Sequence, residues 1–438
     1  MLSYKNFLFL LIIYLASSKL NNNKFLSNDN NNILAYITND NETELREAIE
    51  KLNTIGGGII YIDTPIINII KNSPIELSGL LEGGIIGMKQ NNDEYPRINF
   101  KKVRDNFIPD TISQGMLSII GSNKFIKYLI IENSACYGIN ISGKKTTIDH
   151  VITRYNNFPG ISLYKSEDTT LNYCYSYRNL GKNSFGELGV GFAVDLTTSK
   201  NVIFNYCFAW ENSNNGWLSF YNGNADNSES LSFLHSAGWN NGNIDIFTGK
   251  YDYDNGRMLD KNLWSIEELI NSDENFEKNY KNKNFNIDKG KINGEKAIDW
   301  ITMANGYIDG YGFEFGQKMI NDIRIAQKII DYTAAFDNKS KGFTNKNNKK
   351  CLASFTNSVS FNNNINYDLE YIFGKWNNNW SWGEKNKVQN ELNFKKPNNE
   401  NSAQKLFYSV RDQIIKTISS NKFNDNFNFD IAIKNLNE

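Results

Sequence analysis

The acidic residues in the middle of the chain are the first candidates for chemistry, because a pair of carboxyl groups can act as general acid and general base in hydrolysis. Four of them are expected near the same wall of the fold: Asp195, Asp245, Asp309 and Glu314. Lys318 and Arg324 follow Glu314 closely, and a lysine near a second positive charge can have its pKa lowered enough to serve as a base. The ordinary alternatives are solvated acids in turns and exposed lysines between strands.

Histidine and cysteine chemistry is poorly supported. The chain has two histidines, His150 and His235, and four cysteines, with neither CxxC nor HExxH spacing. A structural zinc site or a histidine-based triad is therefore not expected.

The composition indicates a folded protein with no preference for charged macromolecules. Hydrophobic residues make up 40% of the 438 residues and aromatic residues 13%, which excludes a wholly disordered chain. Lys and Arg number 47 against 48 Asp and Glu, so the net charge of -1 provides no global field for nucleic acid or an anionic membrane. We expect neither of these partners.

The N-terminus has the pattern of a secretory signal. One lysine, Lys5, precedes the apolar run from Phe7 to Leu15, and the small residues Ala16, Ser17 and Ser18 follow. The run is too short to span a bilayer comfortably, although an uncleaved anchor is the alternative. We predict a signal peptide at 1–18, an Asn-rich leader at 19–42, and a secreted, extracellular chain with no membrane association after signal removal.

A short helix is predicted at the start of the folded domain. Apolar residues from Thr43 to Leu52 share one helix face, with Thr43 as a plausible N-cap and the glycines at 56–58 as the end. Strand-like sequence rich in β-branched residues follows from Ile59.

A repeat between about residues 122 and 366 decides the fold. The same seven-residue pattern recurs with an aromatic residue at a fixed place: Tyr155, Tyr177, Trp210, Trp239, Phe336 and Phe361. An asparagine stands two places after each aromatic: Asn157, Asn179, Asn212, Asn241, Asn338 and Asn363. The steps are 22, 33, 29, 97 and 25 residues, a period of somewhat over 20 interrupted by insertions.

Stacked columns of like residues are typical of a parallel β-helix, in which each coil lies directly over the previous one. We predict an all-β, right-handed parallel β-helix with the aromatic column inside and the asparagines bonded to one another at turns. Cys174 and Cys207 occupy equivalent places and are interpreted as reduced core residues rather than a disulfide.

The remaining segments are assigned around this repeat. The β-helix domain is predicted at 43–400, with a partly helical insertion at about 252–308 marked by Leu263, Ile266, Leu269 and Ile270. Residues 401–438 form a C-terminal helical segment, because apolar residues recur at helical spacing from Ala403 to Ser419. Trp376, Trp380 and Trp382 are interpreted as packing for that helix, with a sugar-stacking platform as the alternative.

Several motifs in a fixed order resemble those of polysaccharide lyase family 9, the pectate lyases that cleave polygalacturonate by β-elimination in a right-handed parallel β-helix. The motifs are Ile131-Glu132-Asn133 leading to Gly138-Ile139, Gly191-Phe192-Ala193, and the segments 209–217, 310–316 and 335–343. The resemblance covers roughly residues 120–368. It implies a calcium ion held by aspartates and a lysine that removes the C5 proton of the uronate.

The positions that correspond to that catalytic centre are substituted. The expected calcium ligands fall on Val190, Asn214, Asn215 and Leu218, and the catalytic lysine falls on Glu314. Calcium affinity depends on the number of carboxylates, so any calcium site is expected to be weak or absent.

We therefore expect a pectate lyase-like monomer with a degenerate catalytic centre that binds pectic or other acidic polysaccharide, with Asp195, Asp245, Lys318 and Arg324 as substrate-binding candidates. One alternative is an active enzyme, either a lyase with relocated groups or a carboxylate-dependent hydrolase. Another is a structural or adhesive surface protein.

Overall fold

The structure, a computed structural model, describes residues 33–105, 116–156, 158–179, 189–195, 198–220, 230–242, 309–315, 327–345, 353–369, 374–386, 392–426 and 428–437. It also describes short strands at 251–252, 257–258, 287–288, 291–292, 295–296, 350–351 and 371–372. The signal and leader residues 1–32, the helical pattern at 263–270, and Asp245, Lys318 and Arg324 lie outside the described residues.

Successive coils stack their strands in parallel, which confirms the parallel β-helix. Two rows of strands form sheet A. The first row contains Ile33–Ile37, Gly58–Ile62, Gly83–Gly87, Glu167–Asn172, Lys200–Asn205, Ser230–Leu234, Gln327–Asp331, Ala353–Thr356 and Trp376–Asn377. The second row contains Ile66–Asn68, Arg97–Asn99, Tyr175–Tyr177, Phe208–Trp210, Ala237–Trp239, Ala334–Phe336, Val359–Phe361 and Trp380–Trp382; Lys124–Glu132 and Thr147–Arg154 run through both rows.

The third row forms sheet B, and short pairs lie outside the three rows. Sheet B contains Ile75–Leu77, Leu117–Ile119, Ile139–Ile141, Ile161–Leu163, Phe192–Asp195, Trp217–Phe220, Phe313–Glu314, Lys341–Thr344 and Ile365–Asp368. Tyr251–Asp252 pairs with Arg257–Met258, and Ile287–Asp288, Lys291–Ile292 and Glu295–Lys296 pair in sequence, all antiparallel. Lys350–Cys351 pairs in parallel with Tyr371–Ile372.

One residue per coil bends the chain sharply between the first and second rows. These residues have φ between 47° and 57°: Tyr128, His150, Tyr173, Tyr206, His235, Tyr332, Asn357 and Asn378. This left-handed conformation costs energy for any residue other than glycine. The rings of the first six stack on one another with centroids 4.6 to 5.4 Å apart, which offsets part of that cost. We call these six rings the outer stack.

The asparagine column is confirmed, with one correction at its first member. Each side-chain amide donates to the next at 2.9 to 3.0 Å, in the order Asn156, Asn179, Asn212, Asn241, Asn338 and Asn363. Asn156 heads the ladder in place of Asn157, which lies outside the described residues. The register explains the shift, since Arg154 pairs with Tyr177 and displaces Tyr155 from the aromatic column.

The predicted location of the aromatic column is wrong. Tyr177, Trp210, Trp239, Phe336, Phe361 and Trp382 stack at 4.4 to 5.7 Å, but on the outer side of the second row. In Phe208–Trp210, Ala209 joins the interior core, whereas Phe208 and Trp210 pack with the C-terminal helices. The aromatics are buried because the C-terminal segment covers them.

The interior contains the cysteines as predicted. Cys174 and Cys207 are fully buried free thiols in the interior core. Ser236, Thr333 and Ser358, fully buried at the equivalent place in later coils, extend the column of small side chains.

The N-terminal end is closed by the helix Glu42–Ile55, which buries Leu45, Ala48, Ile49 and Leu52 as predicted. Its N-cap is Asn41 rather than Thr43, because the Asn41 side chain accepts from the Glu44 N–H at 3.2 Å. Gly56 ends it with φ 90°. The strand Ile33–Ile37 lies within the segment assigned to a leader, so the solenoid begins before residue 43.

The C-terminal segment runs back along the solenoid. The helix Glu400–Ser419 is joined to a short helix at Asp430–Lys434 and a 3-10 turn at Asn435–Asn437, and Lys101–Asp105 forms a further short helix. Phe407 contacts Phe361, and Asn421 accepts a backbone hydrogen bond from Tyr95, near the other end of sheet A. Trp382 packs against Phe407, as the packing interpretation of that tryptophan requires. Within the described residues, the helices include none both long and apolar enough to cross a membrane.

Candidate functional site

Alternation along the strands of sheet B fixes which residues face outward. Phe192, Trp217, Phe313, Phe343 and Tyr367 point into the interior and stack at 4.3 to 5.0 Å. The residue after each is therefore on the outer face, since side chains alternate along a strand. This outer line consists of Ala193, Leu218, Glu314, Thr344 and Asp368, each in register with the next.

Two asparagines join this line to the turn before the Glu314 strand. Asn214 Oδ1 accepts from the N–H groups of Asp309 and Gly310 at 2.9 and 3.2 Å. Asn215 Oδ1 accepts from the Tyr311 N–H at 2.8 Å, and its Nδ2 donates to Glu314 Oε2 at 2.9 Å. Each amide thus ties one coil to the next.

An ion pair lies at the other end of the outer line. Lys341 Nζ is 2.5 Å from Asp368 Oδ2, and the Thr344 hydroxyl donates to the same oxygen at 3.3 Å. Lys341 also lies over the Tyr311 ring, 5.1 Å from its centroid. The Asp368 carboxylate is therefore held by a charge and a hydroxyl together.

Tyr311 is the residue on which the acidic groups of the site converge. Burial raises the pKa of its hydroxyl, and the carboxylates of Asp309, Glu314 and Asp368 raise it further. The hydroxyl therefore stays protonated at neutral pH and acts as a hydrogen-bond donor rather than a base.

The structure places several of the sequence-predicted residues together. Backbone hydrogen bonds stack Val190, Asn215, Tyr311 and Lys341 in successive coils, beside the outer line that contains Leu218 and Glu314. Asp195 is buried at the end of the strand Phe192–Asp195, in register with Phe220. The substrate-binding assignments of Asp245, Lys318 and Arg324 fall outside the described residues and stay predictions.

Four residues of the site were missed in the sequence: Tyr311, Lys341, Thr344 and Asp368. A signal was available, because Gly342-Phe343 repeats the Gly312-Phe313 step. Aligning the two steps pairs Glu314 with Thr344, as the register does.

The described residues do not fit a calcium ion. Calcium takes six to eight oxygen ligands, with carboxylates supplying the charge. Here Val190 is an alkyl group with no exposed surface, and the amide oxygens of Asn214 and Asn215 already accept backbone hydrogen bonds. Among the described residues, no group of three or more His, Cys, Asp or Glu side chains is arranged to hold a metal.

Comparison with known proteins agrees with the fold. The chain is 23% identical over 244 residues to pectate lyase L of Paenibacillus polymyxa, a match that covers 53% of this chain and 54% of that protein. It thus spans about half the length of that relative. The crystal structure of pectate lyase Pel9A superposes with a TM-score of 0.52 at 15% identity, covering 82% of this chain and 78% of the other.

The family model for the Pel9A-like, right-handed β-helix region matches residues 25–257, more than half of the chain. The asparagine ladder and the outer line of sheet B both begin inside that region and continue in the coils that follow it. The chain belongs to the Pel9A-like right-handed β-helix family.

Proposed function

We propose that this protein binds a polysaccharide of the pectic type and does not carry out calcium-assisted β-elimination. Family membership and the name of the relative, a pectate lyase, support the ligand class. The apolar N-terminal run supports secretion to the extracellular space, and we propose that the chain acts there as a monomer.

One observation carries the proposal: the amides of Asn214 and Asn215 are built into the backbone where the resemblance places calcium ligands. Their oxygens accept from the N–H groups of residues 309–311, so they serve coil stacking. Without the metal, the C5 proton of a uronate stays weakly acidic.

The residue at the position of the catalytic base, Glu314, also argues against β-elimination. A carboxylate stands where β-elimination uses an amine, and Asn215 holds it in place. A uronate carboxylate within about 4 Å of it would meet a repulsion on the order of 4 kcal/mol at an effective dielectric constant near 20.

The test is an assay of the purified protein on polygalacturonate with calcium, read as the ultraviolet absorbance of the unsaturated product. We expect no absorbance change, and we expect retardation of the protein in native gels that contain the polymer or a neutral galactan. An active pectate lyase is the positive control for the assay. Product at a rate typical of lyases would overturn the proposal, and so would the absence of retardation in every gel.

A further inference from the structure

The corner that follows sheet B in the early coils carries an exposed tyrosine among several lysines. Tyr164 comes directly after the strand Ile161–Leu163, and its side chain is 44% exposed. The lysines of this corner also reach solvent, fully or in part. The set consists of Tyr164, Lys144, Lys145, Lys165 and Lys200. We call these five residues the basic corner.

The register places the lysines close together on successive coils. Lys144 is bridged in parallel to Glu167, and Glu167 pairs in turn with Lys200. Neighbouring strands lie about 4.8 Å apart, so the backbones of Lys144 and Lys200 are separated by about 10 Å along the solenoid axis. Lys145 directly follows Lys144, and Lys165 stands two positions before Glu167. The basic corner is therefore one continuous patch.

Positive charge is in excess in this patch. Lys144 Nζ lies 2.6 Å from Glu167 Oε2. The ammonium groups of the other three lysines make no ion pair in the part of the chain that the structure describes. The second acid of the patch, Asp168, accepts a hydrogen bond from Asn201 at 2.9 Å. Four lysines stand here against two acids, although the whole chain has a net charge of -1, so the patch is complementary to an anion.

Tyr164 adds an apolar surface beside this charge. Lys165 Nζ lies 5.0 Å from the centroid of the Tyr164 ring. An exposed aromatic ring offers contact to the C–H groups of a pyranose, and the ammonium group beside it offers a partner for a carboxylate. A uronate unit of a polysaccharide carries both kinds of group.

The backbone holds two of the lysines in a conformation that lysine seldom adopts. Lys145 has φ 52° and Lys165 has φ 59°. The other left-handed positions of this corner hold Asn123, Asp168 and Asn201, which are residue types that tolerate the conformation better. Residues held at such a cost cluster at binding sites, and this supports a role for both lysines.

We propose that the basic corner binds the uronate units of an acidic polysaccharide, with Tyr164 in contact with a sugar ring and with Lys145 and Lys165 paired with carboxylates. The inference rests on the proposed polysaccharide binding and adds its location and the charge of the ligand. All of the contacts that it requires are made by side chains at the surface.

The experiment is affinity electrophoresis in native gels that contain polygalacturonate, methyl-esterified polygalacturonate or neutral galactan. The double variant Lys145→Gln/Lys165→Gln should bind polygalacturonate about tenfold more weakly, since it loses two screened ion pairs. Its affinity for the methyl-esterified polymer should not change, because that polymer lacks the charge. Tyr164→Ala should weaken binding to both polymers. Lys405→Gln/Lys416→Gln, at exposed positions of the C-terminal helix, removes the same charge and should keep the affinity.

The outcomes separate this location from the binding on which it rests. If polygalacturonate retarded the wild-type protein and the Lys145→Gln/Lys165→Gln variant equally, the location would be wrong and polysaccharide binding would stand. An equal loss in the two double variants would also overturn it, because net charge alone would then explain the binding. Absence of retardation of the wild-type protein in every gel would contradict the proposed function itself.

A competition experiment on the wild-type protein does not depend on any variant. Oligogalacturonate added to the sample should release the protein from the gel-bound polymer, and polyglutamate of equal charge should release it far less. Equal release by the two competitors would mean that the basic corner recognises any polyanion, which would overturn the contact between Tyr164 and a sugar ring.

Discussion

At the scale of single residues, position 314 decides which chemistry the outer line of sheet B supports. A lysine there would face the Asn215 amide across 2.9 Å, whereas the glutamate present accepts a hydrogen bond from it. The substitution therefore changes both the sign of the charge and the direction of the hydrogen bond. The amide side chains of Asn214 and Asn215 are compatible with a glutamate at position 314, because they are uncharged and add no electrostatic repulsion.

This dependence predicts that lyase chemistry can be rebuilt only by changing the charges together. Val190→Asp, Asn214→Asp, Asn215→Asp and Leu218→Asp should create a calcium site, since aspartate oxygens can keep the backbone N–H bonds of Asn214 and Asn215 while adding charge. Glu314→Lys is needed as well. The lysine supplies the base, and it removes the repulsion between Glu314 and an aspartate at position 215. Only the fivefold variant should yield unsaturated product, a strongly non-additive result.

Titration calorimetry reports the calcium site separately from catalysis. Glu314→Lys alone is the matched control and should neither bind calcium nor form product. If the fivefold variant folded correctly but failed to bind calcium, the residue correspondence drawn from the motifs would be wrong.

Part of this site could be predicted from the sequence. Asn214, Asn215 and Glu314 lie in motifs whose order and spacing place them near one another. Lys341 and Asp368 could not be paired in the same way, because they lie 27 positions apart on successive coils and the register places Lys341 opposite Ile365 and Asp368 opposite Thr344.

At the scale of elements, the second row shows a limit of periodicity. Its three-residue strands, such as Phe208–Trp210, have aromatics on one side and a small residue on the other. Both sides are buried, one by the solenoid interior and the other by the helix Glu400–Ser419. Alternation in the sequence reveals two faces but does not tell which is inside, so the pattern alone cannot place the aromatic column.

The contact between the outer stack and the residues after this helix depends on charge. His150 Nδ1 lies 2.8 Å from Asp149 and Nε2 lies 2.7 Å from Asp425, while His235 Nδ1 lies 2.9 Å from Asp430. Asp425 and Asp430 belong to the C-terminal segment. Burial lowers the pKa of His150, but hydrogen bonds to the two carboxylates outweigh it and raise the pKa to about 9.

A pH dependence follows from that shift. Because the folded pKa of about 9 exceeds the ordinary 6.5, the stabilisation by His150 is fully present below pH 6.5 and is lost as the pH rises through 9. The shift corresponds to about 3 kcal/mol in the free energy of unfolding. Urea unfolding from pH 6 to 10 measures it.

The variant Asp425→Asn measures the share of this stabilisation that comes from the contact between His150 and the C-terminal segment. Since Asp425 is 58% exposed, that share should be about 1 kcal/mol or less at pH 6 and should vanish near pH 10. Asp412→Asn, on the exposed side of the long helix, should give a difference that does not change with pH. A constant difference for Asp425→Asn would show that His150 does not carry the effect.

At the scale of the whole molecule, the length of the C-terminal helix matches the solenoid that it covers. Its 20 residues span about 30 Å, equal to about six strand spacings of 4.8 Å. The segment begins near Phe361 and reaches Tyr95 and Tyr128 through Asn421 and Phe423. One element therefore connects early and late coils that otherwise touch only their neighbours.

Removing residues 399–438 tests whether this cover is part of the fold. We expect the truncated chain to expose the second-row column, including Trp210, Trp239 and Trp382, so tryptophan emission should shift to the red and a hydrophobic dye should bind. The midpoint of urea unfolding should fall, because a column of stacked rings loses its only covering among the described residues. Phe407→Ala, which leaves the helix in place but removes its contact with Phe336 and Phe361, should cost about 3 to 5 kcal/mol. Unchanged emission and an unchanged midpoint in the truncated chain would mean that the aromatic column is protected by the coils themselves, as the sequence alone suggested.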